Sequence, residues 1–348
     1  MPRTSDSAMP DHLRAICPTL IPMHPIQRVA ILTSGGDAPG MNAAVRAATR
    51  AALARGWEMM GVRNGYAGLI TDELAPLHAR DVGGIIQRGG TVLGSARSAE
   101  FTTEAGRAQA LANLRRRGIE ALVVVGGNGS QTGASALANA GFPVVGVAST
   151  VDNDLPGTDV TIGVDTAVNI TVEAIDRLRT TGSSHKRAFL VETMGRNCGY
   201  IALMAGIAGG AEVIVIPECE IEPHEVAERL RAAYQRGKTH ALVVAAEGAK
   251  HGAQAIARHV AEHRDAIGFG LRITTLGHVV RGGVPTAADR ILATRLGAAA
   301  IDQLARGAPN MLIGVRGSDI IATPLAEVAG RTKGVDQDLL ELARVLAR

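Results

Sequence analysis

The chain has 348 residues, 46% hydrophobic and 20% charged, which exceeds the usual reach of a single core and favours one large or two smaller globular domains over disorder. Lys+Arg 36 against Asp+Glu 33 gives a net charge of +3, too small an excess for electrostatic grip on a nucleic acid, and Trp 1, Tyr 3 and Phe 4 supply few platforms for stacking single strands. Cys17, Cys198 and Cys219 are odd in number and lack C-x-x-C spacing, which argues against a disulfide framework or structural zinc site and suits a reducing cytoplasm.

Residues 1–25 carry apolar patches interrupted by Pro10, Pro18, Pro22 and Pro25. They lack the unbroken apolar centre of a signal peptide and read as an N-terminal extension. No apolar run reaches the ~20 residues of a membrane span. Apolar runs predict strands at Arg28–Thr33, Ala121–Val125, Pro143–Val147, Ala188–Glu192, Glu212–Ile216, His240–Ala245 and Met311–Val315. Helical spacing is expected over Met41–Ala54, Asp165–Arg179, Pro223–Arg236, Ala253–Arg264 and Ala288–Ala305. Strands this apolar alternating with helices predict the α/β class: two stacked three-layer α/β domains with mostly parallel sheets, binding ligands at the carboxyl ends of the strands.

Several strings imitate known motifs and fail on inspection. Gly237-Lys238-Thr239 resembles the end of a P-loop, but Ala232 stands where that motif needs glycine. Gly35-Gly36-Asp37-Ala38-Pro39-Gly40 has Asp37 in place of the second glycine of G-x-G-x-x-G, and Gly127-Asn128-Gly129 has Thr132 in place of the third. His259-Val260-Ala261-Glu262-His263 matches an inverted zinc-protease string but lies in a polar, charged helix, which favours a solvated face.

The informative segments share one layout, an apolar strand running into a polar turn. The first strand leads to Ser34-Gly35-Gly36-Asp37-Ala38-Pro39-Gly40-Met41-Asn42, and the second to Gly126-Gly127-Asn128-Gly129-Ser130; a helix follows each. Glycine lets backbone approach a ligand, and amides at a helix start point at it, so the pair suggests a polyphosphate site, although either turn alone could be an ordinary loop. Thr150-Val151-Asp152-Asn153-Asp154 follows the third strand. Two carboxylates two residues apart can supply a general base and a metal or orienting group, or merely Asx turns. Met194-Gly195-Arg196 and His278-Val279-Val280-Arg281-Gly282-Gly283 complete the set. Arg97, Arg187, Arg196, Arg272 and Arg281 at strand ends suit a phosphosugar, though any one could be surface charge.

With these residues in hand, the sequence from about Val29 onward resembles the bacterial-type ATP-dependent 6-phosphofructokinase family. The strings Leu32–Ala44, Arg88–Arg97 and Gly277–Gly283 carry the resemblance. It implies transfer of the γ-phosphoryl of Mg-ATP to the 1-hydroxyl of fructose 6-phosphate in a cytoplasmic homotetramer. It also implies a nucleotide-binding domain from 26–163 with 280–330, and a sugar-phosphate domain from 164–279 with 331–348. By the same resemblance Asp152 is the general base, Thr150 helps hold the transferred group, Asp154 lies beside metal and base, and Arg97 meets the transferring phosphoryl. Gly36, Tyr66, Arg97, Ser98, Gly127, Asn128, Gly129 and Ser130 match the nucleotide site. Met194, Gly195, Arg196, Glu247, His278 and Arg281 match the sugar site, and Arg187 and Arg272 match arginines that reach the sugar phosphate from a neighbouring subunit. Arg46, Arg50, Arg179, Glu212, Arg236 and Lys238 match an effector site for ADP or phosphoenolpyruvate, with Thr239 and Ala79 departing from it.

Two departures bear on the chemistry. Asn128 stands where the family usually has a Mg²⁺-binding aspartate, which implies weaker metal binding, with Asn128 and Asp154 as the metal residues. Gly129 and Ser149 replace the Asp and Lys typical of pyrophosphate users, which favours ATP. Pyrophosphate as donor, sedoheptulose 7-phosphate as acceptor, or a non-catalytic nucleotide- or sugar-phosphate-binding regulator are the alternatives.

Overall fold

A computed structural model describes residues 26–185, 187–238 and 240–346. The expected N-terminal extension, Cys17 and the Thr239 departure lie outside them. The first sheet holds β1 (Arg28–Ser34), β2 (Glu58–Val62), β3 (Leu74–Pro76), β4 (Ala121–Gly126), β5 (Val144–Ala148), β10 (Met311–Arg316) and β11 (Asp319–Pro324) in the order β11-β10-β5-β4-β1-β2-β3. Its central pairings β2–β1–β4–β5–β10 are parallel, and only the edge strands β3 and β11 run antiparallel. The second sheet orders β7 (Val213–Val215), β8 (Ala241–Ala246), β6 (Ala188–Thr193) and β9 (Leu271–Thr275), all pairings parallel.

Helices cover both sheets: α1 (Met41–Ala54), α2 (Gly65–Thr71), α3 (Glu104–Arg116), α4 (Asn128–Asn139), α5 (Val164–His185), α6 (Tyr200–Ala208), α7 (Pro223–Gln235), α8 (Ala253–Glu262), α9 (Arg264–Ile267), α10 (Ala287–Ala305), α11 (Leu325–Val328) and α12 (Gln337–Leu346). The period-2 alternation of the strands assigns their two faces to two cores. Val29 and Ile31 of β1 pack into one, Ala30 and Leu32 into the other. In β8, Val243 and Ala245 face one helical layer while Leu242, Val244 and Ala246 face the other. Each sheet is therefore a three-layer α/β unit, the class the apolar runs implied.

The expected strands and long helices are present with ends shifted by a few residues. The helix expected over Asp165–Arg179 runs six residues further, to His185. The one expected over Ala253–Arg264 ends at Glu262, where His263 leaves helical geometry (φ −111°, ψ 23°), and α9 follows as a separate turn. Four strands were not anticipated. β2 reads EMMGV without a β-branched run, β3 is three residues long, and β9 is half exposed at a sheet edge. β11 closes a hairpin on β10 through Gly317, whose φ of 56° suits a two-residue turn.

Candidate active site

The turns singled out in the sequence converge at the carboxyl ends of strands from both sheets. β1, β4 and β5 of the first sheet lead into Gly35–Gly36, Gly127–Ser130 and Thr150–Asp154; β8, β6 and β9 of the second lead into Glu247, Met194–Arg196 and His278–Arg281. Two adjoining compartments result. One, of about 540 Å³, is walled by Tyr66, Ser98, Gly127, Thr150, Asp152 and Asp154 among others. The other, of about 440 Å³, is walled by Met194, Arg196, Glu247 and His278. Gly36, Arg97 and Arg281 line both.

At this shared wall the Arg281 guanidinium packs directly on Gly36, in the space a Cβ would take, with Nη1 1.6 Å from that position. Arg281 is held from its other side, its Nε donating to Met194 Sδ at 3.2 Å. Gly248, beside Glu247, has backbone of Arg196 where a Cβ would be, 1.9 Å from the Arg196 carbonyl oxygen. The Glu247 amide donates to Thr193 O at 2.9 Å and the Gly248 amide to Gly195 O at 3.1 Å, which keeps the ends of β8 and β6 in register.

In the first compartment α4 begins at Asn128, so the amides of its first turn face the cleft and create a positive helix end. Tyr66 is buried, stacks on Phe101 at 4.0 Å, and donates its hydroxyl to Ser130 O at 2.6 Å; burial raises its pKa. Ser98 Oγ accepts from the Phe101 amide at 3.2 Å and starts the short helical turn Glu100–Thr102.

The Thr150–Asp154 loop is fixed by Asn153, a residue whose role is not apparent from its sequence neighbours. Asn153 adopts left-handed backbone (φ 51°) and is buried. Its Nδ2 donates to Asp159 O at 3.0 Å and its Oδ1 accepts from the Thr161 amide at 3.0 Å. Thr161 Oγ1 in turn donates to Thr150 O at 2.6 Å, and the Asp152 amide donates to Thr150 Oγ1 at 3.2 Å. The turn leaves Asp152 and Asp154 both lining the cleft. Burial and the negative charge of Asp154 push the Asp152 carboxyl above the ordinary carboxylate range, and Arg281 draws it partly back. Burial likewise raises Asp154.

Asn128 Nδ2 donates to Asp154 O at 3.3 Å, while Asn128 Oδ1 and Asp152 Oδ1 are buried with no hydrogen-bond donor among the described residues. Asn128 Oδ1 beside Asp154 suits a divalent cation held partly by a ligand's phosphates, while the bare Asp152 Oδ1 suits a proton acceptor. No cluster of three or more His, Cys, Asp or Glu side chains forms a metal site among the described residues. His259 and His263 stack on each other at 4.3 Å in the α8–α9 segment and line neither compartment.

Arg187 and Arg272 do not line either compartment; together with Arg264 they border a separate cavity of about 340 Å³. Glu212 and Arg236 border another of about 540 Å³ against α12. Lys238 Nζ donates to Glu212 Oε1 at 2.7 Å, and Arg179 Nη1 donates to Gly209 O at 3.0 Å close by. Arg46 and Arg50 lie one turn apart on α1, against the first sheet, and do not join that cavity.

Other residues were missed in the sequence. Phe101 and Arg107 wall the first compartment, with Arg107 Nη1 donating to Thr102 O at 2.6 Å. Asn42, fully buried, donates to Arg88 O and Gly89 O and accepts from the Val92 amide at 2.7 Å, pinning the segment that delivers Arg97. The strand-to-helix junction at Gly40-Met41-Asn42 was the available clue, since a buried polar residue in a first helical turn needs distant partners.

Comparison with known proteins agrees with this geometry. Residues 28–304 match the family described as Phosphofructokinase. The chain is 54% identical over 323 residues to the ATP-dependent 6-phosphofructokinase 1 of Thermus thermophilus, covering 92% of this chain and 100% of that protein. It is 46% identical over 322 residues to the ATP-dependent 6-phosphofructokinase of Bacillus subtilis, again 92% of this chain and 100% of the relative. Among solved structures, the phosphofructokinase from Saccharomyces cerevisiae superposes with a TM-score of 0.80 at 38% identity, over 86% of this chain and 45% of the yeast chain.

Proposed function

The chain belongs to the phosphofructokinase family, and from that premise we infer that it transfers the γ-phosphoryl of ATP to the 1-hydroxyl of fructose 6-phosphate, giving fructose 1,6-bisphosphate and ADP. The observation that carries this reading is the pair of compartments with Gly36, Arg97 and Arg281 on their common wall. A phosphoryl group passing between two substrates needs a shared boundary lined by cations and close backbone.

The nucleotide lies in the first compartment. The amides of Gly127–Ser130 hold its phosphates at the start of α4, and Tyr66, Arg97 and Ser98 complete its walls. An apolar ledge formed by the Tyr66–Phe101 pair supports a nucleoside over bare pyrophosphate. So does Gly129, around which a Cβ would meet open space. Fructose 6-phosphate occupies the second compartment. Met194, Gly195, Arg196, Glu247 and His278 orient the sugar, and Arg281 holds its phosphate.

Asp152 takes the proton of the attacking hydroxyl. Its raised pKa suits a base that must accept a proton from a weakly acidic alcohol as attack proceeds. Arg97 and Arg196 offset the charge spread over the transferring group, and Thr150 anchors it. Mg²⁺, which neutralises phosphate charge when bound, fits the orphan Asn128 Oδ1 together with Asp154.

Arg187 and Arg272 act on the sugar phosphate of a neighbouring subunit, so the working unit is at least a dimer with shared sites, and the homotetramer common in the family is the expected assembly. Residues 26–163 with 280–330 form the nucleotide domain and 164–279 with 331–348 the sugar-phosphate domain. Effector control runs through Arg46, Arg50, Arg179, Glu212, Arg236 and Lys238. The cytoplasm is the expected compartment, supported by the free thiols of Cys198 and Cys219. No helix among the described residues is long and apolar enough to cross a membrane.

The test is a coupled assay with fructose 6-phosphate, run with ATP and with pyrophosphate over a range of Mg²⁺. Turnover with ATP, and a loss of at least about 100-fold in Asp152→Asn, is expected. Faster turnover with pyrophosphate would overturn the donor, and full activity in Asp152→Asn would overturn the base.

A further inference from the structure

The loop between β5 and α5, which carries Asp152, is tied to a residue about 175 positions later in the chain. Lys333 lies in the segment linking α11 to α12. Its amide donates to Asp154 O at 2.8 Å, and its Nζ donates to Thr158 O at 2.6 Å and to Asp159 O at 2.9 Å. One residue therefore engages carbonyls on both arms of the loop. Asp159 O also receives Asn153 Nδ2, and Asp154 O also receives Asn128 Nδ2, so Lys333 shares its acceptors with the two asparagines that shape the site.

The same segment is anchored at both ends. Upstream, the Gly330 amide donates at 3.2 Å to Thr132 Oγ1, which itself donates to Asn128 O at 2.9 Å at the start of α4. Downstream, Val335 is buried in the core on one face of the second sheet, with Leu340 and Ala343 of α12 and Cys198 and Ala202 around α6. A segment spanning the two α/β units thus passes behind the loop and touches it through a half-buried ammonium group. An ammonium between converging carbonyls is a charge-assisted contact that no neutral side chain of that length reproduces.

We propose that Lys333 is a positioning residue for phosphoryl transfer, fixing the 150–161 loop so that the Asp152 carboxylate stays aligned with the acceptor hydroxyl. The proposal rests on the reading of Asp152 as the base. It predicts a defect in the chemical step rather than in substrate binding, because Lys333 lines neither substrate compartment. A misplacement of about 1 Å in a reacting group costs up to about 100-fold in rate.

The experiment compares wild type, Lys333→Met, Lys333→Gln and Lys333→Arg by steady-state kinetics and by amide hydrogen exchange of the ligand-free protein. Lys333→Met is expected to lower kcat by about 10- to 100-fold, with KM for both substrates within about twofold. Lys333→Arg, which keeps the cation, is expected to recover most of kcat. Exchange across 150–161 should rise in Lys333→Met, while β4 and β8 stay protected as in wild type. If Lys333→Met fails to fold, Lys333→Gln is read in its place, since it keeps a polar donor on a shorter stem.

Unchanged kcat with unchanged loop exchange overturns the proposal. So does a change confined to KM, or faster exchange throughout both sheets, which would mark a purely structural contact. The exchange measurement needs no turnover. A wild type inactive with ATP and fructose 6-phosphate would refute the proposed function while leaving the tie between Lys333 and the loop to be judged by exchange alone.

Discussion

Asp152 ionises against its surroundings, and the sign of that opposition sets a pH dependence. Burial, Asp154 and Glu247 all raise its pKa, while Arg281 and Arg196 lower it, and the sum lies above the ordinary carboxylate value. The base works only when deprotonated, so kcat/KM for the sugar phosphate should fall as pH drops through that raised value. Glu247→Gln removes one of the charges that oppose ionisation. Its plateau should be lower, since Glu247 borders the sugar compartment, but its acid limb should move to lower pH. A limb that stays in place or moves upward in a pH–rate profile would contradict the electrostatics. Asn128 gives a second residue-scale prediction. Its buried Oδ1 offers an oxygen without a charge. Asn128→Asp should lower the Mg²⁺ concentration giving half-maximal rate, on the order of tenfold, despite losing the Nδ2 contact to Asp154 O. Unchanged Mg²⁺ dependence in an initial-rate titration would remove Asn128 from the metal site.

At the scale of elements, the loop bearing Asp152 is only as steady as the helix that follows it. α5 begins with Val164, and its first amides are capped from another element altogether. Asp289, in the first turn of α10, accepts from the Gly163 amide at 2.7 Å, the Thr166 amide at 2.8 Å and Thr166 Oγ1. The favour is returned, because Thr286, the cap of α10, donates its amide to Thr166 Oγ1 at 3.0 Å and its hydroxyl to Asp165 Oδ2 at 2.6 Å. Two helix starts thus cap each other across the core. Asp289→Ala leaves buried donors unpaired, and a loss of about 3 kcal/mol in thermal or urea unfolding is expected, with Asp289→Asn losing less because one oxygen still accepts. Cross-capping of this kind explains what the sequence could and could not reveal. The β1 and β4 turns were legible because strand, glycines and helix start are contiguous, as in Gly126-Gly127-Asn128. Asn42 and Lys333 were not, because their side-chain partners lie from 46 to 175 residues away, and Asn153 was not because its bonds, only six and eight residues off, close an irregular loop that has no period to read. Edge strands β3 and β9 were missed for a related reason. Pairing on one side and exposure on the other remove the apolar run by which buried strands such as β4 are read.

For the whole molecule, the position of Arg187 and Arg272 decides whether one chain can make a complete site. Both arginines sit at the start of the strand pair β6–β9, bordering a cavity with Arg264. Arg196, Glu247 and His278 line the sugar compartment at the opposite, carboxyl ends of β6, β8 and β9. A guanidinium at the amino end of a strand does not serve the pocket at the carboxyl end of that same strand, so the proposed role of these arginines at a sugar phosphate requires a second copy. Symmetry then makes a quantitative demand. In an isologous pair, each site takes Asp152 from one chain and Arg272 from the other. Asp152→Asn and Arg272→Ala homo-oligomers should each be severely impaired. When the two are unfolded together, mixed in equal amounts and refolded, random assortment gives about a quarter of the sites both native groups. Activity should therefore reappear at about that fraction of wild type, with the apparent affinity for fructose 6-phosphate of the native enzyme. Mixing without refolding should restore nothing beyond slow subunit exchange. A refolded mixture as inactive as its parents, from proteins shown by light scattering to have reassembled, would place both groups in service of the same chain.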